Sequence, residues 1–292
     1  MKRINGDTVL GIDDREYPEK LRMIQNPPEK IYLRGNIELL EGKAIAVVGS
    51  RKCSEYGKIT AMKIGKACAL NDTVLISGMA LGIDGFSHEG AIRNNGKTIA
   101  VLGCGVDICY PRSNRKIYER ICEDGLVISE YPHGTEPAIY TFPQRNRIIS
   151  ALSDAVVVVE AGTHSGSLIT ADYGREQGKE VFAVPGNISS QYSFGTNNLI
   201  AQGARPVVKI EDIFMGLDRR DIIGFNRQAD EIELEEEEQI VFDFIRQMEE
   251  CSMDELCEKS EIPLQKLSGI VGMLELKEAI SYRAGKLFVA KY

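Results

Sequence analysis

The chain has 292 residues, 43% of them hydrophobic, with a formal net charge of −8, enough for one large α/β core and a smaller appended domain. The acidic balance argues against a surface coated in basic groups for non-specific duplex binding, while leaving room for a local basic site. Seven cysteines, an odd count without a C-x-x-C, argue against a disulfide framework and a zinc ribbon, and point to reduced thiols.

The start, MKRINGDTVLGIDD, has no apolar stretch of signal-peptide length, and no later segment approaches a membrane span. A cytoplasmic protein without a membrane partner is therefore expected. Residues 1–40 read as a lead-in, with a short helical pattern at Leu21 and Ile24, a Pro-Pro break and a strand at Ile31 to Arg34. From residue 41 to 217 the pattern becomes strand, glycine loop, helix, repeated. The strand candidates are Ala44 to Val48, Val74 to Ser77, Thr98 to Leu102, Leu126 to Ser129, Ala155 to Glu160 and Glu180 to Val184. Such βαβ units assemble into a doubly wound, mostly parallel sheet, so the fold class is α/β.

Residues 218–235, with Gly224 and the start of a glutamate run, have the composition of a linker. Residues 236–292 then carry three amphipathic helical patterns and two strands about Ala284-Gly285, which together predict a small C-terminal winged helix. Its candidate recognition helix, Leu264 to Leu276, has one lysine and one glutamate. A duplex-groove reader needs a basic footprint, so a protein-interaction role is expected instead.

Ligands in open α/β sheets gather at the carboxyl ends of the strands, and here those ends deliver glycine loops. Gly49-Ser50-Arg51 follows the first strand and leads into a helix whose dipole and exposed N–H groups favour an anion. Gly78-Met79-Ala80-Leu81-Gly82 follows the second strand. Its glycines are spaced G-x-x-x-G-x-x-G and no acidic residue ends that strand, so dinucleotide binding is not expected. Gly103-Cys104-Gly105 follows the third strand. Each glycine also has a simpler reading as turn geometry, but three such loops at one edge favour close approach of a phosphate or nucleotide.

Phe142-Pro143-Gln144-Arg145-Asn146-Arg147 opens a later helix with two arginines that suit phosphates, and Phe142 and Tyr140 offer aromatic platforms. The arginines could equally pair with nearby carboxylates. The Gly162 to Thr170 turn is rich in hydroxyls, with Ser165, Gly166 and Ser167 at a helix start, but no lysine follows the glycine as a P-loop requires. His88, His133 and His164 lie on separate segments without metal spacing, and no G-x-S-x-G elbow is present. No catalytic residue, metal or cofactor is expected.

With these residues in view, the chain resembles the DNA-processing protein A family, also called Smf. The resemblance rests on VVGSRKCSEYG, ISGMALGIDGFSHEGAI, VLGCGVDICYP, ISEYPHGTEP, FPQRNRIISALSD, VVVVEAGTHSGSLITADYGREQGKEVFAVPGN and GTNNLIAQGA, in family order. It implies an extended Rossmann-like domain that binds single-stranded DNA, dimerises, protects incoming strands and loads the RecA recombinase in natural transformation. Carried over to this sequence, the strand site comprises Gly49, Ser50, Arg51, Gly78, Met79, Ala80, Gly82, Phe142, Arg145, Asn146, Arg147, Ser165, Gly166 and Ser167.

Two departures qualify the resemblance. Only some forty residues precede the first strand of the repeat, so contacts mediated by the helical N-terminal domain of many relatives are expected to be missing. Between Pro137 and Tyr140 there is no lysine or arginine, where relatives often place one, and Arg112 and Arg115 could supply the charge instead. The alternative reading is a nucleotide-binding or phosphoribohydrolase-like enzyme of the same superfamily. The segment Glu160 to Ala171 lacks the P-G-G-x-G-T-x-x-E signature of those enzymes.

Overall fold

The computed structural model describes residues 2–4, 6–214, 235–248, 250–260, 262–277, 279–283 and 285–289. The chain forms two compact units, Met1–Ile223 and Gly224–Tyr292. The expected linker, 218–235, lies outside the described residues except at Glu235.

The first unit is organised by its apolar runs. β1 (Lys2–Ile4), β2 (Asp7–Gly11), α1 (Glu19–Arg22) and β3 (Lys30–Gly35) precede the repeat. Then follow β4 (Ala44–Val48), α2 (Glu55–Leu70), β5 (Val74–Ser77), α3 (Ile83–Arg93), β6 (Thr98–Leu102), α4 (Arg115–Asp124) and β7 (Leu126–Ser129). The remainder is α5 (Thr141–Leu152), β8 (Ala155–Val158), α6 (Gly166–Glu176), β9 (Glu180–Ala183), α7 (Phe194–Ala201) and β10 (Arg205–Pro206).

These strands make one ten-stranded sheet in the order β1-β2-β3-β7-β6-β5-β4-β8-β9-β10. Neighbours from β7 to β10 run parallel, and β1, β2 and β3 extend the sheet antiparallel beyond β7. Residues read as a lead-in therefore belong to the sheet, anchored by buried Leu10, Ile31 and Leu33. The order reverses between β4 and β8, which makes their carboxyl ends the switch point of the fold.

Strands β4 to β8 are buried along their whole length because helices cover both faces, and alternate residues feed opposite layers. Ala46, Val48, Ile76, Val101 and Val158 pack with Ile148 and Ile149 of α5 and Ala171 of α6. Ile45, Val47, Leu75 and Val157 pack with Ala61 and Ile64 of α2 and with Ile83 and Ala91 of α3. The architecture is the expected α/β, doubly wound and mostly parallel sheet.

The second unit contains α8 (Glu236–Met248), β11 (Glu250–Cys251), α9 (Met253–Ser260), α10 (Leu264–Leu276), β12 (Ile280–Arg283) and β13 (Lys286–Val289). Its three strands pair antiparallel in the order β11-β13-β12. Val241, Ile245, Leu256, Leu267, Leu274 and Leu287 form its core.

Candidate functional site

The carboxyl ends of β4 and β8 open into a cleft of ≈ 630 Å³. The loop after β4 contributes Gly49, Ser50, Arg51 and Lys52, and the loop after β5 contributes Ala80. Helix α5 adds Phe142, Arg145 and Asn146, and the turn into α6 adds His164, Ser165, Gly166 and Ser167. Ten of the fourteen residues expected from the sequence thus share one cleft. Gly78, Met79, Gly82 and Arg147 do not line it.

The loop after β4 is fixed from below by Glu160, which is buried. The Ser50 N–H donates to the Glu160 carbonyl at 2.8 Å. The Ser54 N–H donates to Glu160 Oε2 at 2.8 Å, and the Ser54 hydroxyl donates to Glu160 Oε1. Ser54 is also the N-cap of α2, accepting from the Gly57 N–H at 3.1 Å. The place at the start of α2 where an external anion was expected therefore holds the protein's own carboxylate, which the helix dipole suits equally well. Gly57 makes this possible, because a Cβ there would collide with the Glu160 carboxylate.

Gly82 lies under the same loop with φ of +74°, a conformation that side chains strain to adopt. A Cβ on it would run into the carbonyls of Ser50 and Arg51. Gly82 thus supports the loop after β4 from behind. Met79, fully buried with φ of +60°, is likewise packing rather than lining.

The two arginines of α5 go separate ways. Residues two apart on a helix differ by about 200° in direction, so Arg145 and Arg147 cannot share a face. Arg145 is only 4% exposed and sits under the cleft, donating to the Gly78 carbonyl at 2.8 Å and to the Val101 carbonyl. Asp84, also buried, faces its charge and accepts from the Gly78 N–H at 3.1 Å. Burial pulls the Arg145 guanidinium down to about 10, still charged at neutral pH, and burial pushes the Asp84 carboxyl up. Arg147 grips Glu130 with two bonds, 2.8 and 2.7 Å, and donates to the Asn26 carbonyl at 2.9 Å. It lines a second, smaller pocket with Lys20, Asn26 and Lys179. The expectation that both arginines form half of the pocket is corrected accordingly: one is its floor and the other lies outside it.

Of the three arginines expected at the site, Arg51 is the one open to a ligand. It is exposed, has no ion-pair partner among the described residues, and sits with its guanidinium carbon 5.1 Å from the centre of the Phe142 ring. Tyr110 stacks on the same ring, centroids 5.6 Å apart and planes 26° apart. Asn146 ties α5 to the turn before α6 by donating to the Gly166 carbonyl at 3.2 Å, and the Ser165 and Ser167 hydroxyls lie 2.8 Å apart. The cleft therefore combines an open cation, a stacked aromatic pair and a row of hydroxyls. Lys52, Tyr110 and Ile139 line it without having been expected. Lys52 was readable as the neighbour of Arg51, whereas Tyr110 becomes visible only once its segment folds over Phe142.

The histidines do not assemble. His88 is fully buried on Thr98, with Nδ1 2.7 Å from the threonine hydroxyl oxygen, and burial holds its imidazole down at about 3. His133 faces Asp7 at 2.8 Å, while His164 is exposed at the cleft. Among the described residues, no three His, Cys, Asp or Glu side chains are grouped to hold a metal ion, and no helix is long and apolar enough to cross a membrane.

The family model for DNA recombination-mediator protein A matches residues 8–218. The chain belongs to this family. Among members of the DNA recombination-mediator protein A family, a DNA processing protein of Bacillus subtilis is 40% identical over 221 residues, covering 75% of this chain and 74% of that protein. The X-ray structure of DNA processing protein A from Streptococcus pneumoniae superposes with a TM-score of 0.70 at 40% identity, covering 73% of this chain and 75% of the other. A structure of DNA processing protein A from Helicobacter pylori, described for its single-stranded DNA binding mode, gives a TM-score of 0.66 at 31% identity, covering 72% of this chain and 95% of the other. The family match spans the whole parallel sheet and every loop that lines the cleft.

Proposed function

We propose that the cleft at the β4/β8 switch point binds single-stranded DNA. The observation that carries this reading is the meeting of Arg51, Phe142 and Tyr110 in one open groove. A single strand presents phosphates that suit a free guanidinium and unpaired bases that stack on aromatic rings, and holding it needs no covalent chemistry. The single-stranded DNA binding of the Helicobacter pylori relative supports it. The nucleotide-hydrolysing alternative loses ground to Glu160, whose carboxylate fills the start of α2.

Family membership supports the wider role: this chain protects incoming DNA, loads RecA recombinase during natural transformation, and acts as a cytoplasmic homodimer. The second unit runs helix, strand, helix, helix, strand, strand, an order that suits a winged helix. Its acidic composition and its near-neutral α10 favour a protein partner over duplex DNA.

A fluorescence anisotropy titration tests the central reading, using labelled oligo-dT and a duplex of equal length at two salt concentrations. Salt-dependent binding that favours oligo-dT is expected. Absent binding, or equal binding of strand and duplex, overturns it. Release of free base from a nucleoside 5′-monophosphate would support the enzyme instead.

A further inference from the structure

The second pocket, of ≈ 250 Å³, lies between α1 and the segment after it, helix α5 and the end of α6. Drug-sized ligands occupy about 300–1,000 Å³, so this space suits one small metabolite. Met23, Ile24 and Tyr173 give it apolar surface, and Met23 is 80% exposed. Arg147 frames one wall, with its fork already engaged by Glu130, Asn26 and Gln144.

Two polar groups of the pocket are left without a match. The Gln177 amide donates through Nε2 to the Arg147 carbonyl at 3.2 Å, which fixes the direction of the amide. Its Oε1 is then buried with no hydrogen-bond partner among the described residues. Buried acceptors are almost always satisfied, so this one calls for an N–H or O–H donor. Lys179 follows the left-handed turn at Gly178, φ +70°, and its ammonium makes no ion pair among the described residues. The carboxylate that its charge feels, Asp154, is engaged by Lys20 at 2.6 Å and by the Ala44 N–H at 2.9 Å. Glu130 is held by Arg147, and Glu176 is exposed. Burial, and then the like charge of Lys20, pull the Lys179 ammonium below its ordinary value. An anion bound beside it restores the charged form.

We propose that this pocket is a second ligand site and that it takes a nucleoside monophosphate, with the phosphate on Lys179 beside Lys20, the base against Tyr173 and Ile24, and an amino group of the base donating to Gln177 Oε1. A mononucleotide unites the three things the pocket lacks: an anion, a flat apolar body and an N–H donor. The site uses none of the residues of the β4/β8 cleft and does not depend on strand binding there.

Isothermal titration calorimetry of the full chain tests the proposal with AMP, adenosine and purine riboside 5′-monophosphate, which lacks the amino group. Wild type should bind AMP roughly ten- to 100-fold more tightly than adenosine, the worth of one charge-assisted hydrogen bond, and should also prefer it to the analogue. Lys179→Ala should abolish the first preference and Gln177→Met the second, each leaving the oligo-dT anisotropy titration unchanged. Lys179→Ala removes an ammonium without a partner, so it carries the test even if Gln177→Met folds poorly. No AMP binding by wild type, or AMP binding that neither substitution alters, overturns the site and leaves strand binding intact. Weaker oligo-dT binding by Lys179→Ala overturns it as a separate site, by making the pocket part of the strand's path. Failure of wild type to bind oligo-dT while it binds AMP in this way overturns the cleft reading and supports this one.

Discussion

Arg145 and Gly78 are locked together beneath the cleft: the guanidinium donates to the Gly78 carbonyl at 2.8 Å, and a Cβ on Gly78 would sit 2.5 Å from Arg145 Nη2. This contact makes Arg145 a structural cation. Arg145→Met leaves the buried Gly78 and Val101 carbonyls without their charged donor and Asp84 without a nearby positive charge, and each buried group so stranded costs about 1–3 kcal/mol. Urea denaturation should show that loss. A variant with wild-type stability but impaired DNA binding would return Arg145 to the ligand.

Arg51 has the opposite profile. Arg51→Glu should lower oligo-dT affinity more than about tenfold with an unchanged circular dichroism spectrum, since the side chain is exposed and its contact with the Phe142 ring lies in the cleft and not in the core. Arg51→Ala should reduce the slope of log affinity against log salt by about 0.7, the value for one phosphate contact on a single strand. Arg147→Ala, which removes the Glu130 pair outside the cleft, should leave that slope alone.

Gly82→Ala tests the support behind the binding loop. A left-handed φ of +74° with a Cβ directed at the Ser50 and Arg51 carbonyls should cost about 1–3 kcal/mol and weaken oligo-dT binding as well, because the loop carrying Arg51 must shift. Thermal melts and anisotropy together check it. Unchanged values in both would show that the loop does not lean on Gly82.

His88 predicts an acid limit. Its folded imidazole is held at about 3 against an ordinary value of 6.5, so between those values the unfolded chain binds the extra proton. The stabilisation from neutral His88 is complete above about pH 6.5 and is lost as pH falls toward 3. His88→Gln should lower stability at neutral pH yet flatten its fall on acidification, as read by chemical denaturation at several pH values. An equally steep fall in the variant would assign the acid sensitivity elsewhere.

The parallel strands were legible because burial on both faces leaves unbroken runs such as AIAVV and TIAVL, and the glycine loops marked the sheet edge that carries the cleft. β1, β10 and β11 were not, since two- or three-residue strands carry no periodic signal. The arginines of α5 were legible as residues and not as directions. A sequence shows Arg145 and Arg147 side by side, and only the packing of α5 against β6 and the loop after β5 decides which one is covered. Glu160 was hidden for a related reason. Its partner, Ser54, stands 106 residues earlier, and nothing local announces that a carboxylate just past a strand will hold the N-cap of a distant helix.

That carboxylate has one more effect. By joining the end of β8 to the start of α2, through both its main chain and its side chain, Glu160 clamps the two lips of the switch point at fixed spacing. The loop after β4 cannot part from the end of β8 without breaking those bonds. For the strand binding proposed above, this edge of the site is set in advance, so the loss of freedom on association falls mainly on the flexible polymer.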